Sequence, residues 1–198
     1  MKRIAVLCSG GGTNLQALID AQGSVLNSGK IALVIANNAN AYALERAKKA
    51  GIPTAIVLKK ECGSHAAFEE KLKEILTENA IELIVVAGFM TILKENVTGC
   101  YPERIINVHP SLIPSFCGAG FYGLKVHEAA LEKGVKVTGA TVHFVNEIPD
   151  GGEIVMQKAV EIEEGDTPEI LQRRVMERAE WKILPAAVEK VSLEIISK

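Results

Sequence analysis

The pair of side chains with the most specific chemistry in the sequence is Asn107 and His109, within residues 105–110. In an extended chain, side chains two positions apart project to the same face, so both residues can converge on one ligand atom at the end of a strand. Pro110 keeps His109 out of helical geometry. A neutral donor beside a titratable donor suits a carbonyl group that becomes an oxyanion during a reaction. A purely structural interpretation stays open, in which Asn107 caps a turn and His109 satisfies a local carbonyl.

A carboxylate that could act with this pair is Asp150, which stands in an Asp-Gly-Gly turn between two strand-like segments. Asp-Gly is common in hairpin turns, where the aspartate often bonds only its own backbone. The spacing in the sequence does not by itself bring Asp150 to His109. The residue therefore has two interpretations at this point, a catalytic carboxylate or a turn former.

A glycine-rich turn after the first strand-like segment could also bind a ligand. Where such a turn opens a helix, unpaired amides and the positive helix end together attract a phosphate. A tight turn without a ligand is the structural alternative. A dinucleotide site is disfavoured because Leu15 stands where a third glycine is needed and Asn37 and Asn38, not an acidic residue, end the second strand, so a monophosphate fits better than NAD. The turn consists of Gly10, Gly11, Gly12, Thr13 and Asn14.

The remaining histidines and the four cysteines do not form a pattern typical of a metal site. We assign structural roles to His127, on a helix face, and to His143, within a strand, while His65 starts a helix. The cysteines show neither a CxxC pair nor metal-ligand spacing, which indicates reduced thiols of a cytoplasmic protein without a disulfide framework. They are Cys8, Cys62, Cys100 and Cys117.

Strand-like and helix-like segments alternate through the first part of the chain, and they must position these side chains. Alternation of this kind predicts βαβ units and a parallel sheet. Residues 83–86 are apolar on both strand faces, which is typical of a central strand with helices on either side. The predicted strands are 4–8, 32–36, 54–58 and 82–87, and the predicted helices begin at about Asn14 and cover 42–50 and 65–78.

The second part of the chain predicts a different arrangement, in which two strands flank the Asp-Gly-Gly turn as an antiparallel hairpin. Thr167 before Pro168 predicts the start of a long terminal helix. Pro185 is expected to kink or divide that helix at Leu184. The segments are a strand at 105–108, a loop at 110–123, a helix near 124–132 and strands at 135–145 and 153–160.

The predicted fold class is α/β and Rossmann-like, with a mostly parallel central sheet, helices on both faces and a mixed sheet toward the C-terminal end. The 198 residues fit one domain, 1–198, with a nucleotide-binding half at about 1–100 and a catalytic half at about 101–198. The 22 basic and 24 acidic residues are mixed along the chain, which favours small-molecule partners over nucleic acid or a membrane surface. The most apolar stretch, 81–93, contains Glu82 and is too short to span a bilayer, and no export signal is visible, so we expect a cytoplasmic protein.

Several ordered motifs together resemble the phosphoribosylglycinamide formyltransferase family. The likeness extends from about Lys2 to Val188, nearly the whole chain. It implies an enzyme of de novo purine biosynthesis that transfers the formyl group of 10-formyltetrahydrofolate to the primary amine of glycinamide ribonucleotide. The products implied are formylglycinamide ribonucleotide and tetrahydrofolate. The motifs are residues 106–114, 138–145 and 150–152, and residues 9–14 and 87–90 agree as well.

The same resemblance implies roles for individual residues, with 10-formyltetrahydrofolate as co-substrate and no metal. The implied catalytic residues are Asn107, His109 and Asp150. Those implied for the ribonucleotide are Gly11, Gly12, Thr13, Asn14 and Glu180. Those implied for the formyl folate are His65, Met90, Thr91, Ile92, Leu93, Asn107, Asn146 and Glu147.

The sequence departs from the family pattern at four places. Thr91 stands where the family usually has arginine, and His65 stands where another basic contact to the folate tail is expected. The loop at 115–123 is longer than usual, so its ligand contacts stay unassigned. Trp181 replaces the histidine that commonly follows Glu180.

The residue types agree with the chemistry that the family implies. We hypothesise that the substrate amine attacks the formyl carbon while Asn107 and protonated His109 donate hydrogen bonds to the developing oxyanion. Asp150 stabilises the imidazolium and passes a proton through water from the incoming amine to the departing folate nitrogen.

Other functions with related features stay open. Formyltetrahydrofolate deformylase and methionyl-tRNA formyltransferase share this chemistry, but each normally carries an additional domain for which we expect no room in this chain. A non-catalytic folate or nucleotide sensor is the alternative from another class, and the complete trio argues against it. An NAD-linked enzyme is disfavoured by the glycine spacing. The sequence does not indicate the oligomeric state.

Overall fold

The computed structural model describes residues 1–197 and arranges them around a seven-stranded sheet. The strands are β1 (Lys2–Cys8), β2 (Gly29–Ala36), β3 (Thr54–Ile56), β4 (Leu83–Val86), β5 (Ile105–His109), β6 (Val137–Phe144) and β7 (Ile154–Glu161). Their spatial order is β3-β2-β1-β4-β5-β6-β7. The neighbours from β3 to β5 are parallel, whereas β6 is antiparallel to both β5 and β7. The predicted mostly parallel sheet with a mixed C-terminal end is confirmed.

Helices cover both faces of this sheet, as predicted. Successive residues of β1 point to opposite sides, so that Val6 belongs to one apolar cluster and Leu7 to the other. Leu18 of the first helix packs into the cluster of Val6, and Leu72 of the third packs into that of Leu7. The helices are α1 (Thr13–Ala21), α2 (Tyr42–Lys49), α3 (His65–Glu78), α4 (Glu95–Thr98), α5 (Leu124–Lys133), α6 (Pro168–Val175) and α7 (Trp181–Ser197). Within residues 1–197, no helix is long and apolar enough to cross a membrane.

The parallel strands bring three loops to one edge of the sheet. Leu7 of β1 pairs with Val86 of β4, and Val86 pairs in turn with Asn107 of β5, so the carboxyl ends of these strands lie side by side. Ligands of open α/β sheets bind at this edge. The glycine-rich turn, the segment after β4 and the end of β5 are therefore neighbours.

The antiparallel strands bring the fourth segment to the same place. Across the β5–β6 pair, Asn107 lies opposite His143 and His109 lies opposite Thr141. The turn from β6 into β7 then carries Asp150 back toward the end of β5.

Pro185 was predicted to kink or divide the terminal helix at Leu184, and the division is wrong. Pro185 lies inside α7, and the irregular turn is a wider π-helical segment, Met176–Glu180, between α6 and α7. A helical proline lacks the amide hydrogen and crowds the carbonyl four residues earlier, here that of Trp181. Trp181 is the first residue of α7 and directly follows the π segment, where the hydrogen-bond pattern already departs from that of an α-helix. The irregularity therefore lies one turn before the proline.

The start of the terminal helices agrees with the prediction. The hydroxyl of Thr167 accepts a hydrogen bond from the amide of Ile170, and Pro168 occupies the first helical position. The other helix and strand ends differ from the predicted ones by at most a few residues, as is usual for boundaries read from a sequence. The division of the chain into a nucleotide-binding and a catalytic half stays a prediction.

Candidate active site

Asp150 and His109 meet at the carboxyl end of β5. His109 is the last residue of that strand and is buried, and Asp150 lies in the turn between β6 and β7. Oδ2 of Asp150 is 3.5 Å from Nδ1 of His109. The hairpin turn thus brings the carboxylate to the imidazole, a contact that the spacing in the sequence left open.

The carboxylate of Asp150 is surrounded by polar partners. Nε2 of His143 lies 3.4 Å from its Oδ1, and the backbone amide of Gly118 donates to its Oδ2 at 2.8 Å. Burial raises the pKa of Asp150, but the charge of His109 and the hydrogen bond from the Gly118 amide oppose this effect, and the pKa lies below its usual value. Asp150 is therefore an ionised carboxylate at neutral pH.

His143 belongs to this cluster, and the sequence analysis missed it. The Nδ2 group of Asn107 donates to Nε2 of His143 at 3.1 Å, while Nδ1 of His143 donates to the carbonyl of Phe144 at 2.8 Å. These two bonds describe a neutral ring with its lone pair on Nε2. A ring protonated on both nitrogens would instead donate from Nε2 to Asp150. The contact of Nε2 with Asn107 is the shorter of the two, at 3.1 Å against 3.4 Å, and this favours the neutral ring. The sequence held no signal for this pairing, because it did not give the register of β5 against β6.

The second ring nitrogen of His109 faces the loop between β5 and α5. Nε2 of His109 donates to the carbonyl of Phe116 at 2.8 Å. His109 is thus held on one side by this loop and on the other by Asp150. His127 of α5 is fully buried, and burial together with the charge of His109 lowers its pKa to about 4. His127 is therefore neutral at neutral pH.

The glycine-rich turn between β1 and α1 combines a packing role with open backbone. Gly12 has a φ of 68°, and a Cβ at this position would lie 2.7 Å from Cβ of Ala43 in α2, so packing requires a glycine here. A Cβ at Gly10 or Gly11 would meet nothing within 4 Å, and both residues are exposed. The tight-turn interpretation accounts for Gly12, whereas the open backbone of Gly10 and Gly11 leaves room for a ligand.

Asn14 and Glu180 connect this turn with the terminal helices. Nδ2 of Asn14 donates to Oε2 of Glu180 at 2.6 Å, and the neighbouring Thr13 hydroxyl lies 3.8 Å from the sulfur of Met176. Glu180 is buried, and burial raises its pKa to about 7 against the opposing effect of the Asn14 hydrogen bond. Oδ1 of Asn14 is buried without a hydrogen-bond partner among residues 1–197. Two of the predicted ribonucleotide residues are thus in contact, and one of them changes charge near neutral pH.

The segment after β4 presents two exposed apolar side chains. Met90 and Ile92 are 59% and 57% exposed, whereas Leu93 packs into the apolar core. Thr91 accepts a hydrogen bond from Nδ2 of Asn37 at 2.9 Å. The predicted folate residues of this segment therefore divide into two exposed side chains, one tethered hydroxyl and one core residue.

The other predicted folate residues lie on separate elements. His65 begins α3, and its Nε2 is 3.7 Å from Oε1 of Glu69. Asn146 and Glu147 are exposed in the turn between β6 and β7, and Oδ1 of Asn146 accepts from the amide of Ile148 at 2.9 Å. Asn146 and Glu147 line a cleft of about 600 Å³ whose walls do not include the Asn107, His109 and Asp150 trio.

The four cysteines stay apart as free thiols. Cys8 is buried and Cys100 is exposed, and the other two are intermediate. In the part of the chain that the structure describes, no group of three or more His, Cys, Asp or Glu side chains is arranged to hold a metal ion. Cys117 lies between Phe116 and Gly118, the two loop residues that contact His109 and Asp150.

Comparison with known proteins gives one consistent result. The sequence profile of the family described as formyl transferase matches residues 2–188. The chain is 43% identical to a phosphoribosylglycinamide formyltransferase of Haemophilus influenzae over 96% of its own length and 86% of that relative. It is 44% identical to the trifunctional purine biosynthetic protein adenosine-3 of Gallus gallus over 96% of its own length, but it spans only 18% of that larger relative. The fold is similar to a crystal structure of glycinamide ribonucleotide transformylase 1 from Symbiobacterium toebii, with a TM-score of 0.92, 41% identity and coverage of 98% and 89% of the two chains.

Proposed function

The chain belongs to the formyl transferase family, and we propose that it acts as a phosphoribosylglycinamide formyltransferase. It transfers the formyl group of a formyl folate, 10-formyltetrahydrofolate, to the primary amine of glycinamide ribonucleotide in purine biosynthesis. The relative from Haemophilus influenzae supports this proposal because the two chains correspond over most of both lengths. The observation that carries it in this chain is the meeting of His109 with Asp150, beside Asn107, at the sheet edge that also holds the glycine-rich turn.

The proposed reaction moves a formyl group from one nitrogen to another. The lone pair of the substrate amine attacks the formyl carbon, so a C–N bond forms and the carbonyl oxygen becomes an oxyanion. Collapse of the tetrahedral intermediate breaks the bond to the folate nitrogen. The attacking amine loses one proton and the departing nitrogen gains one. The enzyme must therefore stabilise an oxyanion and move a proton.

Asn107 and His109 are the oxyanion donors in this proposal. One N–H of the Asn107 amide is donated to His143, which leaves the second N–H for the formyl oxygen. His109 donates from its protonated ring, and its charge is stabilised by the carboxylate of Asp150. Asp150 also accepts, through water, the proton that the amine loses and passes it to the departing folate nitrogen. His143 is a positioning residue, because it acts through Asn107.

The ribonucleotide is bound by the glycine-rich turn. Its phosphate accepts hydrogen bonds from the backbone amides of residues 11–14 at the N-terminus of α1, where the helix dipole favours an anion. Glu180 reaches this end of the ligand through its contact with Asn14 and accepts a hydrogen bond from a ribose hydroxyl. The unpaired Oδ1 of Asn14 offers a second acceptor.

The folate packs its ring system against the exposed apolar side chains of Met90 and Ile92, and the exposed Asn146 and Glu147 of the β6–β7 turn stay predicted polar contacts. Thr91 carries no positive charge for the carboxylates of the folate tail, so the basic contact falls to His65. A cytoplasmic location and small molecules as the partners stay predictions.

Transfer of a labelled formyl group tests the proposal. Purified protein is mixed with glycinamide ribonucleotide and 10-formyltetrahydrofolate that carries ¹³C in the formyl group, and the products are followed by NMR. We expect labelled formylglycinamide ribonucleotide and tetrahydrofolate in equal amounts, and no folate turnover in a control without the amine. Release of labelled formate at the same rate with and without the amine would indicate a deformylase. Binding of both ligands without turnover would indicate a sensor.

A further inference from the structure

The loop between β5 and α5 touches both titratable members of the trio through its main chain. The carbonyl of Phe116 accepts from Nε2 of His109 at 2.8 Å, and the amide of Gly118 donates to Oδ2 of Asp150 at 2.8 Å. The two contacts lie on either side of Cys117, so one short segment, residues 116–118, serves both groups. These contacts give a role to the loop at 115–123, whose ligand contacts could not be assigned from the sequence.

The Phe116 contact determines where the proton of His109 resides. A carbonyl oxygen can only accept, so Nε2 of His109 must carry hydrogen. In the neutral ring the lone pair is then on Nδ1, and this is the nitrogen that faces Asp150 at 3.5 Å. The proton that His109 gains and loses therefore sits on Nδ1, beside the carboxylate.

The Gly118 contact orients the partner of that proton. Its amide and Nδ1 of His109 both approach Oδ2 of Asp150. An amide donor stabilises a carboxylate in its ionised form and fixes its direction. The loop thus contacts both partners of the His109–Asp150 interaction, His109 through Phe116 and Asp150 through Gly118.

We propose that residues 116–118 are a positioning element for formyl transfer, which holds His109 as the Nε2–H tautomer so that Nδ1, the nitrogen that faces Asp150, is the one that gains and loses the proton. This inference rests on the proposed function for the identity of the reaction. The tautomer itself does not depend on which substrate is transferred.

Contacts within the loop hold this segment in place. The hydroxyl of Ser111 donates to the carbonyl of Ser115 at 2.6 Å, and the rings of Phe116 and Phe121 meet edge to face at 6.4 Å. Phe116 has a φ of 52°, a conformation that residues with a Cβ rarely adopt. This unusual backbone conformation indicates that the contacts around Phe116 fix the direction in which its carbonyl points.

Titratable groups from several elements surround His109 and its partner. Asp150 faces His109 from the β6–β7 turn and His127 faces it from α5, while Cys117 of the loop and His143 of β6 face Asp150. Because burial lowers the pKa of His127 to about 4, this ring is neutral near pH 7.

Nitrogen NMR of the full-length protein labelled with ¹⁵N in its histidine rings tests the proposal. The ring-nitrogen shifts and couplings report the tautomer, and the signals of His109 are assigned by their loss in His109→Asn. We expect neutral His109 to carry its hydrogen on Nε2. A hydrogen on Nδ1 of the neutral ring would overturn the proposal, and this result needs no loop variant to fold.

Two glycines of the loop provide a matched pair of variants for turnover. Gly118 and Gly120 have φ values of 84° and 93°, and a Cβ at either would meet nothing within 4 Å, so alanine strains the backbone similarly at both. Gly118→Ala should lower kcat about 10-fold to 100-fold with little change in either KM, because misplacing a catalytic group by an ångström can cost that much. Gly120→Ala should keep the kcat and the His109 tautomer of the wild type. Equal kcat values for the two variants would overturn the positioning role.

Phe116→Gly provides a second test. Glycine tolerates the left-handed backbone but loses the ring contact with Phe121, so neutral His109 should show a mixture of the two tautomers in this variant. Absence of formyl transfer in the wild type together with the Nε2–H tautomer would refute the proposed function but not the positioning role.

Discussion

Asp150 and Glu180 are two carboxylates of the candidate site, and their surroundings act on them in opposite ways. Asp150 lies among the polar groups of the β5–β6–β7 end, and these lower its pKa below the usual value despite its burial. Glu180 lies beneath the glycine-rich turn with a single donor, Asn14, and burial raises its pKa to about 7. The number of donors decides which effect prevails.

Under the proposed function, this difference separates two tasks. A carboxylate that stabilises a protonated imidazole and accepts a proton must be ionised when the reaction begins, and Asp150 meets that condition. A carboxylate that contacts an uncharged hydroxyl beside a phosphate works in a more neutral environment, and Glu180 meets that condition. The proposed catalytic end is thus polar and has an ionised carboxylate at neutral pH, whereas the proposed nucleotide end has a carboxylate with a pKa of about 7.

The largest effect should come from Asp150→Asn, which keeps the shape of the side chain and removes the charge. We expect kcat for formyl transfer to fall by a factor on the order of 10³, because both stabilisation of the imidazolium and acceptance of the proton are lost. Asp20→Asn is the matched control, since Asp20 is exposed on α1 and accepts a hydrogen bond from the side chain of Gln16 on the same helix. A kcat of Asp150→Asn within threefold of the control would place the chemistry elsewhere.

The opposite environment of Glu180 predicts a stability effect with a defined sign. Its pKa rises from 4.5 to about 7 in the folded chain, so the folded state holds a proton that the unfolded state releases. The resulting stabilisation is complete below about pH 4.5 and is lost as the pH rises through about 7, and it amounts to about 3 kcal/mol. Glu180→Gln keeps an acceptor for Asn14 and should not show this loss. Urea unfolding between pH 5 and 8 measures it, and identical pH dependence of the two proteins would contradict the difference between the carboxylates.

His143 tests whether the polar end depends on positioning as well as charge. His143→Ala should lower kcat by about 10-fold to 100-fold, because Asn107 loses the acceptor that orients its amide. The KM for glycinamide ribonucleotide should change little, since the turn proposed to bind its phosphate lies between β1 and α1, away from His143 on β6. His143→Gln, which offers a side-chain acceptor, should restore part of the lost rate. A rise in KM without a fall in kcat would show that His143 acts on binding instead.

The smallest effect is expected within the glycine-rich turn and separates packing from ligand binding. Gly12→Ala adds a Cβ 2.7 Å from that of Ala43 and at a φ of 68°, so we expect a loss of about 1–3 kcal/mol in the free energy of unfolding. Gly11→Ala has open surroundings and should leave this free energy nearly unchanged while it weakens binding of the ribonucleotide. Thermal denaturation and calorimetric titration of the two variants measure both quantities. Equal stability of the two variants would remove the packing role of Gly12.

Most of the fold could be predicted from the sequence because its signals are local. The alternation of apolar segments gave the parallel part of the sheet, and Thr167 with Pro168 gave the start of the terminal helices. The placement of Asn107 and His109 near one another follows from the two-residue repeat of a strand. These features depend on neighbours in the chain, which a sequence contains.

The rest depends on contacts between distant residues. The resemblance implied that Asp150 reaches His109, but spacing alone could not establish it. The role of His143 was missed because it depends on the register of β5 against β6. The irregular helical turn was predicted at the wrong place. Pro185 disturbs the hydrogen bonding of a helix locally, but the departure from α-helical hydrogen bonding lies one turn earlier, at Met176–Glu180.

The central claim is that His109 and Asp150 act as one unit, and a double-mutant cycle in single-turnover formyl transfer tests it most directly. The rates of His109→Ala, Asp150→Asn and the double variant are compared with that of the wild type. Because residues that act together lose their function together, we predict that the double variant is no slower than His109→Ala alone. Losses that multiply, so that the double variant is slower by the product of the two single effects, would show that the two residues act independently and would contradict the account.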